Sequence, residues 1–290
     1  MKKKILCMMC ISFLLSFAGI CQDDMSVNEA EKLAKLNAKL LLKNGVKKVM
    51  FVEFYGEYIT SKETAPGPME SRWSGGPLYK RTQTVEIGGD YYESLTNELY
   101  EIIKKVFTDN GIEVLDKEVL LDNENYIALG LKEERKTRAY SGGITKKSVT
   151  TEGIKRSVSG MGMFTETLKI GAIVKINNMV PRIAMETDCQ ASLSVNFKFG
   201  MGKKNAPTLD FVNIKIQSDL DEVNAGQGKK SYVFKNSGDL FLTNKGLIGD
   251  TDFLKDKGEI DLEKYNKTMI EMAQKMATAY TILLKNEMNQ

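Results

Sequence analysis

The sequence predicts an α+β fold in which packed amphipathic helices cover a mixed β-sheet. Polar and apolar residues alternate strictly from Ser192 to Phe199, which is typical of a strand with one buried face. Between residues 48 and 135, apolar runs of strand length alternate with helical patterns, which indicates a βαβα first half. Apolar residues recur every three or four positions from Leu262 to Leu283, as in a long helix with one covered face. We therefore expect a βαβα first half, an antiparallel hairpin in the second half, and a long C-terminal helix.

The first 21 residues have the composition of a signal peptide. Three lysines precede an apolar run of about sixteen residues, which is shorter than the roughly 20 residues that a membrane-spanning helix needs. No later segment has so long an apolar run. We expect residues 1–21 to be removed on export and residues 22–290 to form a single α+β domain in the periplasm or cell envelope.

The charge balance argues against a nucleic-acid partner. The formal charge of +3 comes entirely from Lys2, Lys3 and Lys4, so the chain after the signal peptide is balanced. A balanced chain lacks the basic excess that attracts nucleic acid or anionic lipid to a whole protein. We expect membrane association only through a lipid on Cys21 or through a pore.

Cys21 has two interpretations. Ordinary cleavage after Cys21 is preferred, because Cys21 and Gly19 are small residues at the first and third positions before the cut. Lipidation of Cys21 is the alternative: the preceding residues resemble a lipobox, although Ile20 stands where a small residue is expected. The residues that follow, Gln22-Asp23-Asp24, resemble the acidic export signal of some surface lipoproteins.

Cys189 is the one cysteine that lies well inside the folded part of the chain. A framework of intramolecular disulfides is therefore excluded. We expect Cys189 to be a small buried apolar residue, with a reactive thiol as the alternative.

The first half of the chain opens with a predicted helix and a buried strand. Ser26 and Glu29 have the spacing of a capping box, and leucines follow at helical intervals, which predicts one helix over Val27–Lys43. The segment Lys48–Tyr55 is almost entirely apolar and β-favouring. It predicts a central strand that is buried on both faces.

The segment Ser61–Gly89 differs in composition from its neighbours. It holds three of the five prolines and the single tryptophan, which predicts a long connection that contains a short edge strand over Lys80–Ile87. Trp73, Tyr79 and Arg81 are the candidate binding residues of this loop. In the alternative interpretation, Trp73 covers the edge of the core.

A strong helical pattern begins at Asp90 and ends at Asn110-Gly111, a pair typical of a helix C-terminus. A short strand over Ile112–Leu115 and a further helix over Lys117–Arg135 complete the predicted βαβα half. The glycines Gly88-Gly89 before the first of these helices could cradle an anion, but a solvated helix start is the preferred interpretation.

The four residues Asp122 to Asn125 carry side-chain oxygens, which are calcium ligands in other proteins. They lack the glycine and the terminal glutamate of a calcium-binding loop, so we expect a solvated helix surface there. The sequence predicts no metal site and no cofactor.

The middle of the chain, Lys136–Gly162, is rich in glycine, serine, threonine and lysine and has no sustained periodicity. It is expected to be an exposed linker or mobile loop. In that case the domain would have two lobes, residues 22–135 and 165–290, joined by a mobile segment 136–164. The next segment, Leu168–Ile176, is predicted as a buried strand.

The second half is dominated by the hairpin predicted over Ala191–Gln217, with an exposed tip between Gly200 and Pro207. Lys230–Thr243 is expected to supply the last strands, with a turn or bulge at Asn236–Asp239. The C-terminal helix is expected to pack within the chain. A helix-mediated oligomer is the alternative.

The absence of histidine removes several kinds of chemistry at once. A chain with no histidine has no Ser-His-Asp or Cys-His catalytic arrangement and no ordinary zinc ligand set. A paired-carboxylate glycosidase or a Ser-Lys hydrolase stays chemically feasible, but no serine or carboxylate lies in a recognisable motif. We expect no catalytic residues.

The order of elements resembles the periplasmic domain of the curli-secretion lipoprotein CsgG and the TolB N-terminal-like envelope domains. The resemblance is carried by KVMFVEFYG, VFTDNGIEVLDKEVLL, LKIGAIVKI and ASLSVNFKF, and it covers Val46–Gln217. It implies a non-enzymatic part of an envelope assembly, and it carries over no catalytic residues.

The preferred function is that of an exported envelope protein that binds or assembles with envelope protein partners, including a second copy of itself. The first alternative is a subunit of an outer-membrane secretion pore that uses the hairpin of residues 191–217, because its alternation and strand length also suit a lipid-facing strand pair. The second alternative is a hydrolase of unrecognised type that works without histidine.

Overall fold

Ten strands of the described residues form one mixed sheet, which confirms the α+β prediction. The structure is a computed structural model, and it describes residues 25–66, 80–85, 87–142, 147–164, 170–224, 230–249 and 260–289. The strands are β1 (Ala34–Leu36), β2 (Lys48–Ala65), β3 (Arg81–Thr84), β4 (Glu113–Val114), β5 (Glu134–Ser141), β6 (Ser148–Ser157), β7 (Ala191–Met201), β8 (Pro207–Asn224), β9 (Lys230–Thr243) and β10 (Leu247–Ile248).

Helices of very different length accompany the sheet. Among the described residues, none is long and apolar enough to cross a membrane. The helices are α1 (Val27–Leu33), α2 (Lys39–Leu42), α3 (Gly89–Thr108), α4 (Lys117–Leu121), α5 (Glu124–Leu129), α6 (Ile170–Glu186) and α7 (Leu262–Met288), with a 3₁₀ turn at Lys203–Asn205.

The strand β2 lies at the centre of the sheet, whose main order is β1-β9-β8-β7-β2-β6-β5. It runs parallel to β4 and β7 and antiparallel to β3 and β6. The predicted central strand Lys48–Tyr55 is confirmed: residues 49–52 and Phe54 are buried. A register shift after Phe51 makes Val52 an extra residue, so that Phe51 and Phe54 both meet Tyr100 of α3.

The predicted hairpin is confirmed as β7 paired antiparallel with β8. Its tip is less exposed than predicted: Lys203 is exposed, but Met201 and Ala206 are buried. Leu193, Val195 and Phe197 are fully buried, as the alternation requires. A register shift next to Lys198 leaves Asp210 as an extra residue of β8, and this bulge accounts for the break in alternation at Phe211-Val212.

The long helices α3 and α7 pack together on one face of the sheet. Both were predicted, and α7 buries its apolar side within its own chain, as expected. The ring of Tyr280 in α7 stacks on Phe241 of β9 at 4.3 Å, and its hydroxyl donates to the carbonyl oxygen of Val212. Thr187, just after α6, contacts Met50, which points away from this face. The start of β2 is therefore covered on both sides.

The predicted helix Val27–Lys43 is wrong in its middle. The capping box of Ser26 and Glu29 starts α1 as expected, but Ala34–Leu36 leave the helix and pair with residues 241–243 of β9. A short helix gains little from propensity alone, so pairing at the sheet edge outweighs the helical pattern. The chain turns helical again only at Lys39.

The predicted helix Lys117–Arg135 is also wrong. The side chain of Asn123 accepts hydrogen bonds from two backbone N–H groups and starts a second short helix, α5. Gly130, at a φ of 63°, ends that helix, and the chain enters β5 at Glu134.

The predicted linker over residues 136–164 is corrected by the structure. Its described residues include most of β5 and all of β6, which pair with each other, and β6 pairs with β2. The signal was missed because most of β5 is exposed on both sides, and a strand without a buried face shows no alternation of apolar residues. This segment is thus part of the sheet.

The predicted strand over Leu168–Ile176 is a helix where the structure describes it, from Ile170. Periodicity alone does not separate a short apolar run in a buried strand from one in a helix. Ser61–Ala65, predicted as loop, extends β2, and the expected short edge strand is confirmed as β3. At Asn236–Asp239 the strand β9 continues, and a register shift near Leu240 makes a bulge instead of a turn.

Candidate functional site

The side of the sheet opposite to α3 carries a group of half-buried polar residues. Phe54 contacts α3, so the next residue of β2, Tyr55, points to the other side, as does Glu57 two residues later. Side chains from three neighbouring strands join them. The Tyr55 cluster consists of Tyr55, Glu57, Lys155, Asn196, Lys198 and Asn213.

A charged row crosses the Tyr55 cluster. Glu57 of β2 lies opposite Lys155 of β6 on one side and Lys198 of β7 on the other. Its carboxylate is 3.8 Å from the Lys155 ammonium and 3.4 Å from the Lys198 ammonium. These side chains are 16%, 11% and 28% exposed for Glu57, Lys155 and Lys198. Partial burial protects the ion pairs from solvent screening, and they tie β6, β2 and β7 together.

A row of uncharged polar groups lies beside the charged row. Tyr55 lies opposite Asn196 of β7, which lies opposite Asn213 of β8. The carboxamide nitrogen of Asn196 donates a hydrogen bond of 3.1 Å to the Tyr55 hydroxyl. The Lys155 ammonium is 5.3 Å from the centre of the Tyr55 ring, within the range of a cation–π interaction. The two rows are therefore coupled through Tyr55.

The carboxamide oxygens of Asn196 and Asn213 form what we call the acceptor pair. Both oxygens are buried, and neither has a hydrogen-bond partner in the described part of the chain. Directly opposed residues of antiparallel strands have Cβ atoms about 5 Å apart, so the two side chains are neighbours. A buried acceptor without a partner destabilises a protein by roughly 1–3 kcal/mol. Such groups need an explanation in function or hydration.

The bulge at Asp210 adds an aromatic ring next to the acceptor pair. Phe211 lies opposite Lys198, and directly opposed residues share one face of a sheet. Phe211 is half-buried and lies two residues from Asn213 on the same strand. On the far side, Leu242 of β9 lies opposite Asn213 and is 41% exposed. Apolar groups thus flank the acceptor pair on two sides.

No family model, curated protein or solved structure matches this chain. The sequence resemblance to the CsgG and TolB N-terminal-like domains therefore stays a prediction, and the argument for function rests on the geometry of the site.

The Tyr55 cluster is suited to holding a polar ligand. It combines ammonium donors, a phenol hydroxyl and carboxamide acceptors on strands at the centre of a sheet, which fixes their spacing. Within the described ranges, no group of three or more His, Cys, Asp or Glu side chains is arranged to hold a metal ion.

A second polar network, around Arg156, has a structural role. The Arg156 guanidinium pairs with Glu134 of β5 at 2.9 Å and with Glu93 of α3. Ser159 donates to the other oxygen of Glu93 at 2.7 Å and accepts from Asn97 at 2.8 Å. Hydrogen bonds from Ser159 and Arg156 lower the pKa of Glu93. The network fastens α3 to the edge of the sheet.

Of the sequence-predicted binding residues, the structure describes Arg81 alone, and Arg81 lies away from the Tyr55 cluster. Trp73 and Tyr79 lie outside the described residues, as does Cys21. Arg81 is exposed on β3, opposite Thr64 of β2. Thr64 is nine residues from Tyr55 along β2, roughly 30 Å at the usual rise of a strand.

The other sequence-level candidates have structural partners. Asn123 and Asn125 donate amide hydrogen bonds to Glu186, and burial of Glu186 opposes, but does not cancel, the lowering of its pKa by these bonds. Gly89 begins α3 beside the Glu134 carboxylate, which disfavours a second anion there. Cys189 is buried, and burial raises the pKa of its thiol, so the small apolar interpretation is confirmed.

Sequence reasoning recognised the strand that carries Asn196 and Lys198 but took its polar side as ordinary solvent-facing surface. The sequence did not show which residues lie next to Asn196 in the sheet. Tyr55 is 141 residues away from Asn196 in the chain and Asn213 is 17 residues away, and strand pairing brings both of them to it. The one local signal was the break in alternation at Phe211, which marks the bulge.

Proposed function

We propose that this chain is an exported envelope protein that binds a ligand of the cell envelope on the Tyr55 cluster. The partly exposed polar side chains of the central strands carry the proposal. Lys198 is 28% exposed and Glu57 16%, and beside them the Tyr55 hydroxyl accepts a hydrogen bond of 3.1 Å from Asn196. These groups are held at a fixed spacing and are open to contact with another molecule. The signal peptide predicted over residues 1–21 supports the location.

The positions of the hairpin residues and of Glu57 favour binding over the two alternatives, a secretion pore and a hydrolase without histidine. The apolar side of the hairpin, including Val195 and Phe197, is buried in the protein core, so this conformation offers it no lipid contact. In the Tyr55 cluster, the Glu57 carboxylate is held by two ammonium groups. That arrangement suits a fixed binding surface better than a group that must exchange protons during hydrolysis.

The proposal is tested by retention of envelope material on the immobilised protein. The wild type is compared with a double variant, Asn196→Ala with Lys198→Ala, and with a matched control, Lys235→Ala with Asn236→Ala. The control pair lies on β9, outside the Tyr55 cluster, and is bonded to Asp221 and Asp219. Circular dichroism melting shows that each protein is folded.

We expect an envelope component that the wild type and the control retain and that the cluster variant loses. Equal retention by all three proteins, or by none, contradicts the proposal. Turnover of the retained component that is lost in a Glu57→Gln variant would also contradict it, in favour of an enzyme.

A further inference from the structure

We infer that the outer edge of β5 binds an acidic, extended segment of another protein, which adds to the sheet as one more strand. The strand β5 is the last in the main order of the sheet, and among the described residues it pairs with β6 alone. Its binding groups are backbone groups of β5, which the Tyr55 cluster does not include. The inference therefore goes beyond the proposed function.

The outer edge of β5 presents unpaired backbone groups. Opposed residues of antiparallel strands alternate between pairs that exchange backbone hydrogen bonds and pairs that do not. The Ser157 N–H donates to the carbonyl oxygen of Glu133, so the next pair, Glu134 with Arg156, exchanges none. The N–H and C=O of Glu134, and of every second residue after it, therefore point away from β6. In the described part of the chain, no backbone group pairs with them.

The strand β5 has the regular geometry that the addition of a strand requires. Its pairing with β6 keeps one register from Glu134 to Ser141, and it contains no proline. Edge strands that avoid pairing are commonly short, or are interrupted by a bulge or a proline. At eight residues, β5 is longer than a typical strand, and most of its side chains are exposed. The edge is thus shaped for pairing along its whole length.

Charge selects the kind of strand that this edge binds. The whole chain is close to balance, with 41 basic and 38 acidic residues, but β5 and β6 together are basic. Their five cations are Arg135, Lys136, Arg138, Lys155 and Arg156, and their two acids are Glu134 and Glu152. An acidic partner is therefore attracted to this edge of the sheet.

Two of these cations are free to meet a partner. The Arg138 side chain is 75% exposed and pairs with Glu152 at 3.5 Å, and so exposed a pair contributes little. Lys136 is exposed and forms no ion pair within the described ranges. Both share one side of β5 with Tyr140, which is 70% exposed. A matching strand has acids opposite Lys136 and Arg138 and an apolar residue opposite Tyr140.

A second copy of this chain fits the edge less well than an acidic segment does. In a symmetric dimer β5 would pair with β5, which brings the three cations of one edge against the same three of the other. Like charges across paired strands are destabilising, whereas carboxylates in these places are attracted. The cations of β5 thus disfavour self-association and favour an acidic partner.

The test uses a synthetic peptide of the length of β5, TVTETEET, whose binding to the whole protein is measured by fluorescence anisotropy. In antiparallel register its valine lies opposite Tyr140 and its first two glutamates lie opposite Arg138 and Lys136. We expect saturable binding that weakens as salt is added. The matched peptide TVTKTKKT should bind at least about tenfold more weakly. Equal binding of the two peptides, or no binding of the acidic one, overturns the inference.

Backbone methylation of the peptide separates strand addition from simple charge attraction. N-methyl groups on the valine and on the first two glutamates remove the N–H donors that face β5, and we expect binding to weaken by about tenfold or more. N-methyl groups on the residue after each of these remove donors on the far edge and leave the charge unchanged. That control should bind within about threefold of the parent peptide. Equal binding of the two methylated peptides overturns the inference.

Two variants of Lys136 locate the site on β5. Lys136→Gln removes the charge and keeps the outward N–H, and it should weaken binding of the acidic peptide about threefold. Lys136→Pro removes the N–H as well, and an edge strand tolerates proline where the N–H faces outward. We expect binding to weaken at least about tenfold in this variant, with circular dichroism melting as the check of folding. Equal affinities for the two variants overturn the assignment to β5.

Analytical ultracentrifugation of the protein alone tests a second copy as the occupant of this edge. We expect no dimer that depends on β5. A wild-type dimer that dissociates in Lys136→Pro would overturn the inference in favour of pairing between two copies.

Discussion

Arg156 shows how a single side chain joins three elements. Its guanidinium binds Glu93 of α3 and Glu134 of β5 from its own position on β6, and its side chain is 18% exposed. Removal of one partner leaves the other charges in a partly buried place, which is more costly than loss of an exposed pair. The Arg156 network therefore gives a sharp test at the scale of one residue.

The variant Glu93→Gln is expected to lower the free energy of unfolding at pH 7 by roughly 1–2 kcal/mol, between the values for exposed and buried ion pairs. Urea unfolding at constant temperature measures the change. The control is Glu271→Gln, whose carboxylate is 57% exposed and pairs loosely with Lys267 at 3.8 Å. The control should change stability by less than about 0.5 kcal/mol.

The stability that Glu93 contributes is also expected to depend on pH. Because the pKa of Glu93 is lowered in the folded state from its ordinary value of 4.5, the stability it contributes is complete above that ordinary value. It is lost as the pH falls through the lowered value. The difference between the wild type and Glu93→Gln should therefore shrink between about pH 5 and pH 3. A difference that stays constant down to pH 3 would refute the assignment.

Tyr280 offers a second residue-scale prediction. Its hydroxyl is buried and donates to the carbonyl oxygen of Val212 at 2.8 Å, and burial raises the pKa of the phenol. The variant Tyr280→Phe keeps the ring on Phe241 and removes the donor, so unfolding should become easier by about 1 kcal/mol. Tyr140→Phe is the matched control, because Tyr140 is 70% exposed. If Tyr280→Phe and Tyr140→Phe had the same melting temperature, the hydrogen bond from Tyr280 to Val212 would not stabilise the fold as expected.

At the scale of one element, the bulge in β8 decides which side chains face the core. Asp210 is the extra residue, and the fully buried Leu209 lies beyond it. Deletion of Asp210 would let the pairs Phe199–Leu209 and Lys198–Phe211 follow each other in a regular ladder, so Leu209 would keep its buried face. We expect the unfolding free energy to stay within about 1 kcal/mol of the wild type. Deletion of Val212, which lies in the regular part of the pairing, should instead lower it by roughly 2–4 kcal/mol in a urea titration, similar to removing a buried leucine.

The helices α3 and α7 could be predicted from the sequence because a wide apolar stripe, not a sheet edge, determines where they form. The segment Val27–Lys43 could not, since its middle joins the sheet through residues more than 200 positions away. The strands β5 and β6 were missed for a different reason: β5 is largely exposed, so its sequence shows no alternation of apolar residues. A local sequence pattern identifies a helix or strand only where its buried residues repeat with the period of that element.

At the scale of the whole molecule, the mixed sheet was predictable as a class but its strand order was not. The hairpin β7–β8 follows from its own sequence, whereas the parallel pairing of β2 with β7 joins segments about 140 residues apart. The candidate site depends on that pairing, because Tyr55 meets Asn196 only across it. Residue type and alternation predicted each strand of the site separately, and only the topology brings them together.

The pairing of β1 with β9 gives a whole-molecule prediction. Lys35 and Leu242 are directly opposed and both exposed, so cysteines at these positions have the Cα spacing of a disulfide, about 5 Å. The variant Lys35→Cys with Leu242→Cys should form an intramolecular disulfide on mild oxidation and gain roughly 2–4 kcal/mol against urea. Lys35→Cys with Ile248→Cys, on β10, is the control and should form little of it. Absence of the disulfide in the first variant would contradict the edge pairing.

The position of β1 also sets the order in which the polypeptide can fold. Ala34–Leu36 emerge early from a ribosome or translocation channel, but they find their neighbours only after residues 241–243 have followed. Contacts between such distant segments make folding slow, because a large loop must close before they form. An incomplete chain keeps this edge open, so a product truncated before β9 should stay loosely structured and be degraded. Such late closure delays compaction of this edge until nearly the whole chain has been made.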